Sequence, residues 1–143
     1  MTEERGRILR PSSIPARERG GGARTIPLVT RATGSTSFMS GITSFAPGAS
    51  IPLHFHNCEE SVFLLEGRAI AEIDGVPHEL AAGEMSFIPA EVPHRFINAS
   101  ASEEMRILWT YASVNATRTI VATGETRRIE DEHRASLSTG LHD

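Results

Sequence analysis

The chain has 143 residues, of which 39% are apolar and 22% charged, and its net charge is −4 with histidine neutral. A length like this fits one ordinary domain that buries about 70% of its extended-chain surface, so no covalent staple is needed to hold a core. The mild acidity excludes wrapping of a polyanion by field alone, and no nucleic-acid partner is expected.

Residues 1–24 are rich in Arg, Glu and Pro and close on Gly20-Gly21-Gly22. They read as an irregular N-terminal arm. The first residues carry charge but no apolar stretch of the kind that opens a secretory leader, and no run approaches eighteen apolar residues. A cytoplasmic protein without a membrane partner is expected. Short apolar stretches then recur with turn signals between them: Thr25–Arg31, Thr36–Phe45, Ile51–His56, Ser61–Leu65, Arg68–Ile73, Val76–Leu80, Met85–Pro89, His94–Asn98 and Met105–Tyr111, with Arg118–Ala122 as one more. Asp74-Gly75 between two of them is the strongest hairpin signal, because a type I′ turn needs positive φ at both central positions. None of the runs holds a 3.6-residue period for ten residues, so strands are expected rather than helices. Many short strands at even spacing predict an all-β sandwich or barrel over residues 25–122. Residues 123–143 are charged and polar, with Ile129 and Leu137 as the apolar anchors, and read as a C-terminal tail able to form a short helix.

All fourteen basic residues are arginine, which excludes lysine Schiff bases, lysine-bound pyridoxal and Walker-type phosphate loops. A single cysteine, Cys58, excludes an internal disulfide framework and a cysteine-rich zinc site. Six histidines remain. His54 and His56 stand two apart on an expected strand, so both leave the same face. Glu60 follows four residues on, and His94 opens another strand after Pro93. Imidazoles with a carboxylate form a mixed N/O donor set, suited to Mn, Fe, Co, Ni or Zn and unsuited to Ca or Mg. Solvent-facing polarity is the bland alternative for the same residues. Glu59 competes with Glu60 but has the opposite parity.

From Gly48 the chain runs Gly-x5-His54-x-His56-x3-Glu60-x6-Gly67, and from Gly83 it runs Gly-x5-Pro89-x4-His94-x3-Asn98. These two stretches, fifteen residues apart, resemble the two motifs of the cupin family, in its small single-domain form. One position departs: Glu91 stands where the family has a glycine. The resemblance implies a double-stranded β-helix, or jelly-roll barrel, enclosing one divalent transition metal. His54, His56, Glu60 and His94 then correspond to the family's ligands, with two coordination positions left open. Fe or Mn is the favoured ion, with Ni, Co or Zn as options, and the family analogy suggests a homodimer.

Other residues carry less. Tyr111 is the only tyrosine and thus the sole candidate for a phenolic general acid. Arg24, Arg106 and Arg118 are candidates to pair a substrate carboxylate, since the guanidinium offers a planar fork for one. The bland reading of each is a surface ion pair. Phe96 shares the parity of His94. Met39, Phe45, Val62, Leu64, Trp109 and Tyr111 read first as core. Cys58 reads as a plain loop thiol beside the site, His78 as an exposed hairpin residue, and His133 and His142 as tail residues.

The fold alone fixes no activity. A complete ligand set argues against the family's metal-free epimerases and storage proteins, and the lack of lysine against a phosphomannose-isomerase-like activity. Glu60 disfavours the cysteine dioxygenase branch. The favoured expectation is an Fe(II) dioxygenase acting on a small oxygen-rich substrate that bears an enol or carboxylate. A non-redox isomerase, lyase or decarboxylase is the alternative, and a non-catalytic small-molecule-binding protein is the third.

Overall fold

The strand Met105–Tyr111 alternates buried and half-buried residues along its whole length, as a strand with one face in a core must. The structure, a computed structural model, describes residues 5–138, with side chains to residue 133. Twelve strands precede one helix: β1 (Arg17–Gly20), β2 (Ala23–Val29), β3 (Met39–Phe45), β4 (His54–His56), β5 (Glu60–Glu66), β6 (Arg68–Ile73), β7 (Val76–Ala81), β8 (Met85–Ile88), β9 (His94–Asn98), β10 (Met105–Tyr111), β11 (Thr117–Ile120), β12 (Thr126–Arg128) and α1 (Ile129–Ser138). They form two six-stranded sheets, ordered β1-β2-β3-β10-β5-β8 and β12-β11-β4-β9-β6-β7. Every pairing is antiparallel. From β3 to β6 and again from β7 to β11 the chain alternates between the sheets, which makes the jelly-roll expected from the sequence.

The core lies between the sheets. Met39, Phe45, Val62, Leu64, Trp109 and Tyr111 are all buried in it, as expected of apolar and aromatic residues on strands. Gly41 is what lets Trp109 lie flat on the wall. A Cβ there would collide with the indole and would sit 2.7 Å from the Ile26 carbonyl oxygen. The indole N–H donates to Thr43 Oγ1 at 2.8 Å, and Thr43 shares a 2.8 Å hydrogen bond with Thr25. A buried donor and two buried hydroxyls are thereby satisfied within one sheet.

Two loop features hold the strands that carry the motifs. Asp74 and Gly75 take φ of 52° and 81°, and Ile73 pairs with Val76, so the hairpin is the type I′ turn the dipeptide predicts. Buried Asn98 donates its amide to the carbonyl oxygens of Phe45, Ala46 and Glu103 at 3.1, 3.1 and 2.8 Å, and accepts from the Ser100 N–H at 2.9 Å. One side chain thus ties the end of β9 to the end of β3 and the start of β10.

The two ends of the chain are more ordered than the sequence suggests. Residues 17–20, inside the stretch read as an irregular arm, form β1. Gly20, Gly21 and Gly22 all adopt positive φ, which turns β1 back onto β2. The sequence Arg17-Glu18-Arg19-Gly20 has no apolar alternation to announce a strand. In the tail, β12 pairs with β11, and α1 follows with its first residue, Ile129, buried. Leu137 falls where no side chain is described, and His142 lies outside the described residues. No helix among the described residues is long and apolar enough to cross a membrane.

Candidate metal centre

The two-residue spacing sends His54 and His56 inward from β4, and the pairing of β4 with β9 sets His94 directly opposite His54. Glu60 opens β5 in the facing sheet and reaches the same point from across the barrel. Glu59 is exposed. The three imidazoles can each bring one ring nitrogen within 4.8 Å of the others, and all three rings are buried. Glu60 Oε1 lies 3.0 Å from His94 Nε2 and 3.3 Å from His56 Nε2.

Hydrogen bonding fixes which nitrogens point inward. His54 Nδ1 lies 2.7 Å from the Pro52 carbonyl oxygen, His56 Nδ1 2.9 Å from that of Thr117, and His94 Nδ1 2.9 Å from that of Val92. A carbonyl oxygen only accepts, so each Nδ1 must be the protonated donor. That leaves Nε2 of His54 and His56 facing inward as lone-pair donors, while His94 Nε2 is hydrogen-bonded to Glu60 Oε1 at 3.0 Å. His56 Nε2 is buried without a hydrogen-bond partner, because its approach to Glu60 is not aligned as a hydrogen bond. Burial holds His54 well below the usual histidine range, helped by the Arg118 charge. Burial also lowers His56, against the pull of Glu60. At Glu60 burial pushes upward, but His56 and His94 outweigh it and bring the carboxyl down to about 2. An ionised carboxylate and inward lone pairs converge on one enclosed point. That arrangement is costly without a cation and is what a transition-metal site requires.

The remaining candidates separate cleanly. Tyr111 pairs across the sheet with Glu60 and stacks on Trp109, with ring centroids 4.9 Å apart; its ring lies 4.6 Å from that of His56. Burial and the neighbouring Glu60 push its phenol upward, so it keeps its proton. Phe96 lines the same cavity. Arg24 and Arg106 are surface residues paired with Glu104 and Glu66. Arg118 differs from them: it is buried, borders the cavity and pairs with Glu132. His78 is exposed. Burial raises the Cys58 thiol, which leaves little reactive thiolate.

Glu91, where the motif has glycine, takes φ of 68° and donates its N–H to the His56 carbonyl oxygen at 2.8 Å. The backbone keeps the conformation that glycine would adopt and braces the end of β4. Sequence reasoning missed Arg19, Glu132 and His133. Arg19 and His133 border the cavity and Glu132 pairs with Arg19 at 3.1 Å, yet all three come from the arm and the tail, where no periodicity marks them. The His133 ring lies 5.9 Å from that of Trp109. The clear space left in the cavity is about 30 Å³, room for water but not for an organic molecule.

The fold and the inward donor set together define a jelly-roll protein with a potential metal site of three buried histidines. A family model described as "Cupin domain" matches residues 41–111. The chain is 36% identical to Protein SchB of Streptomyces halstedii over 104 residues, covering 72% of this chain and 75% of that protein. It is 36% identical to Polyketide synthase CurC of Streptomyces cyaneus over 111 residues, covering 76% and 71%. The solved structure of the polyketide cyclase RemF from Streptomyces resistomycificus superposes with a TM-score of 0.69, at 22% identity and 94% coverage of each chain. The chain belongs to the cupin family.

Proposed function

We propose that this protein is a metal-dependent enzyme acting on a small carbonyl-bearing substrate, and that its chemistry is a non-redox rearrangement, a cyclisation or an elimination. His54, His56, Glu60 and His94 hold the ion, with Fe or Mn favoured and Ni, Co or Zn as alternatives. A bound divalent ion would act as a Lewis acid on a substrate carbonyl oxygen. The observation that carries this reading is the convergence of three Nε2 atoms and a carboxylate, with each Nδ1 committed to the main chain. Tyr111, whose phenol keeps its proton, donates a hydrogen bond to oxygen charge developing beside the site. Trp109 and Phe96 supply the apolar wall. The similarity to a polyketide synthase protein and to a polyketide cyclase supports carbonyl chemistry over oxygen insertion.

The Fe(II) dioxygenase reading expected from the sequence is the second. It is favoured by the donor set itself, since neutral imidazoles with one carboxylate suit Fe(II) as well as Mn(II). A homodimer in the cytoplasm is part of the same proposal, and size-exclusion chromatography tests the dimer. The deciding experiment is elemental analysis of protein purified without chelators or a nickel column, followed by incubation with β-diketones and β-keto acids with and without dioxygen. Stoichiometric metal and oxygen-independent turnover are expected. Dioxygen uptake coupled to substrate loss would shift the assignment to the oxygenase, and protein free of metal that takes up none would overturn both.

A further inference from the structure

The mouth of the barrel carries a cluster that the metal centre does not use. Arg118 on β11 is 5% exposed, and its Nε lies 3.2 and 3.1 Å from the two carboxylate oxygens of Glu132 on α1. Arg19 on β1 reaches the same carboxylate with Nη2 at 3.1 Å. Arg19 and Glu132 are 12% and 10% exposed, so the whole group is nearly shut off from water. Both guanidiniums border the cavity that holds His54, Glu60 and His94. Two buried guanidiniums face one carboxylate, and the next acid that acts on Arg118 is Glu60, on the far side of the same cavity. With Glu60 engaged by an ion, the pair would favour a second anion. Both contacts from Arg118 come from Nε, which is not the paired Nε/Nη fork that a planar carboxylate takes up when free to choose.

Glu132 is carried by α1, which packs against β1 and β12 and brings Ile129 and His133 to the cavity lining. α1 is pinned at its start by the Ile129 N–H donating to the Ala116 carbonyl oxygen at 3.0 Å and by the burial of Ile129. It is held further by the Glu132 carboxylate, by the His133 ring beside Trp109, and by a more exposed ion pair between Glu130 and Arg31 Nε at 3.0 Å. With α1 in this place the cavity is too small for an organic substrate.

We infer that Arg19 and Arg118 form the subsite for a substrate carboxylate, and that Glu132 fills it in the ligand-free protein as a tethered substitute. The substrate class is then an organic acid with a carbonyl group beyond its carboxylate. The placement of that carbonyl rests on the proposed metal chemistry, whereas the arginine pair does not. A carboxylate entering the pair displaces Glu132, α1 tilts from the mouth, and His133 leaves the face of Trp109. The apparent affinity is lowered by the fraction of molecules in which Glu132 already occupies the pair, so removing its charge tightens binding.

Trp109 is the only tryptophan, and its fluorescence follows the departure of His133. The test titrates full-length protein, stripped of metal by a chelator, with acetoacetate and with acetoacetamide, which has the same shape without the charge. Acetoacetate is expected to give a saturable change, with the amide at least tenfold weaker. Glu132→Gln is expected to bind acetoacetate at least tenfold tighter than the wild type, and Arg118→Gln to lose the response. Equal affinities for acid and amide, an unchanged affinity in Glu132→Gln, or no saturable response in any form overturns the inference. Should Glu132→Gln fail to fold, the wild-type comparison of acid and amide decides alone. A parallel manganese titration separates the two readings: a carboxylate response without metal uptake sinks only the metal centre, and metal uptake without charge discrimination sinks only this subsite.

Discussion

The two ends of the cavity are opposites in chemistry and in origin. At the inner end, three imidazoles and one carboxylate converge on a point suited to a cation, and the residues come from two motifs on strands at fixed intervals. At the mouth, two guanidiniums surround one carboxylate and ask for an anion, and the residues come from β1, β11 and α1, far apart in the chain. One enclosure thus offers a place for each end of a bifunctional molecule. The comparison teaches that a donor set on adjacent strands is specified locally, whereas a charge cluster at the mouth depends on how the termini close over the barrel.

The comparison breaks most visibly if the inner end is not a metal centre. His54→Ala or His94→Ala is expected to reduce metal affinity by more than about 100-fold while the barrel stays folded, since removing a ligand costs more than removing its outer partner. Elemental analysis and circular dichroism of the variants check this, and stoichiometric metal in either variant would count against the assignment. At the mouth the expected effect is on stability. Glu132→Ala leaves two buried guanidiniums unpaired, and metal-free protein should lose about 3–5 kcal/mol in urea unfolding. A loss below about 1 kcal/mol would mean that the cluster is well solvated.

Acid should act on the mouth through His133. Burial, with the nearby Arg19 charge, lowers this histidine from 6.5 to about 4. The unfolded chain therefore takes up the proton first as pH falls. The contribution of His133 is fully present above pH 6.5 and is lost progressively as the pH drops through about 4, by up to about 3 kcal/mol. Urea unfolding from pH 7 to pH 4 should show this slope, and His133→Gln should flatten it by about one proton. The smallest effect belongs to the brace beneath β4. Glu91→Gly relieves a side chain held at φ of 68° and should stabilise the protein by about 1 kcal/mol, seen as a melting point higher by about 3 °C. An unchanged or lower melting point would mean that the Glu91 side chain makes up for its backbone strain.

Legibility followed the same division. The inner end could be read because parity is reliable within a strand: His54 and His56 must share a face, and Glu60 rather than Glu59 must point inward. The strands Arg68–Ile73, His94–Asn98 and Met105–Tyr111 were readable to the residue for the same reason. β1 and β12 were not, because Arg17-Glu18-Arg19-Gly20 and Thr126-Arg127-Arg128 lack the apolar alternation that marks a half-buried strand. Arg118 could be singled out as a carboxylate partner but not told apart from Arg24 and Arg106, since all three are arginines on strands. Only the fold puts Glu132 above one of them. His133 was hidden by its polar neighbours, which form the outer side of the helix whose inner side it shares with Ile129 and Glu132.

The three imidazole rings are each tethered through Nδ1 to a main-chain carbonyl, and His94 is hydrogen-bonded to Glu60 as well. Their aim is therefore set largely by the barrel wall. Substitutions at Phe96 or Ile107, elsewhere on the lining, should then change which molecule fits the chamber while leaving those three main-chain tethers in place.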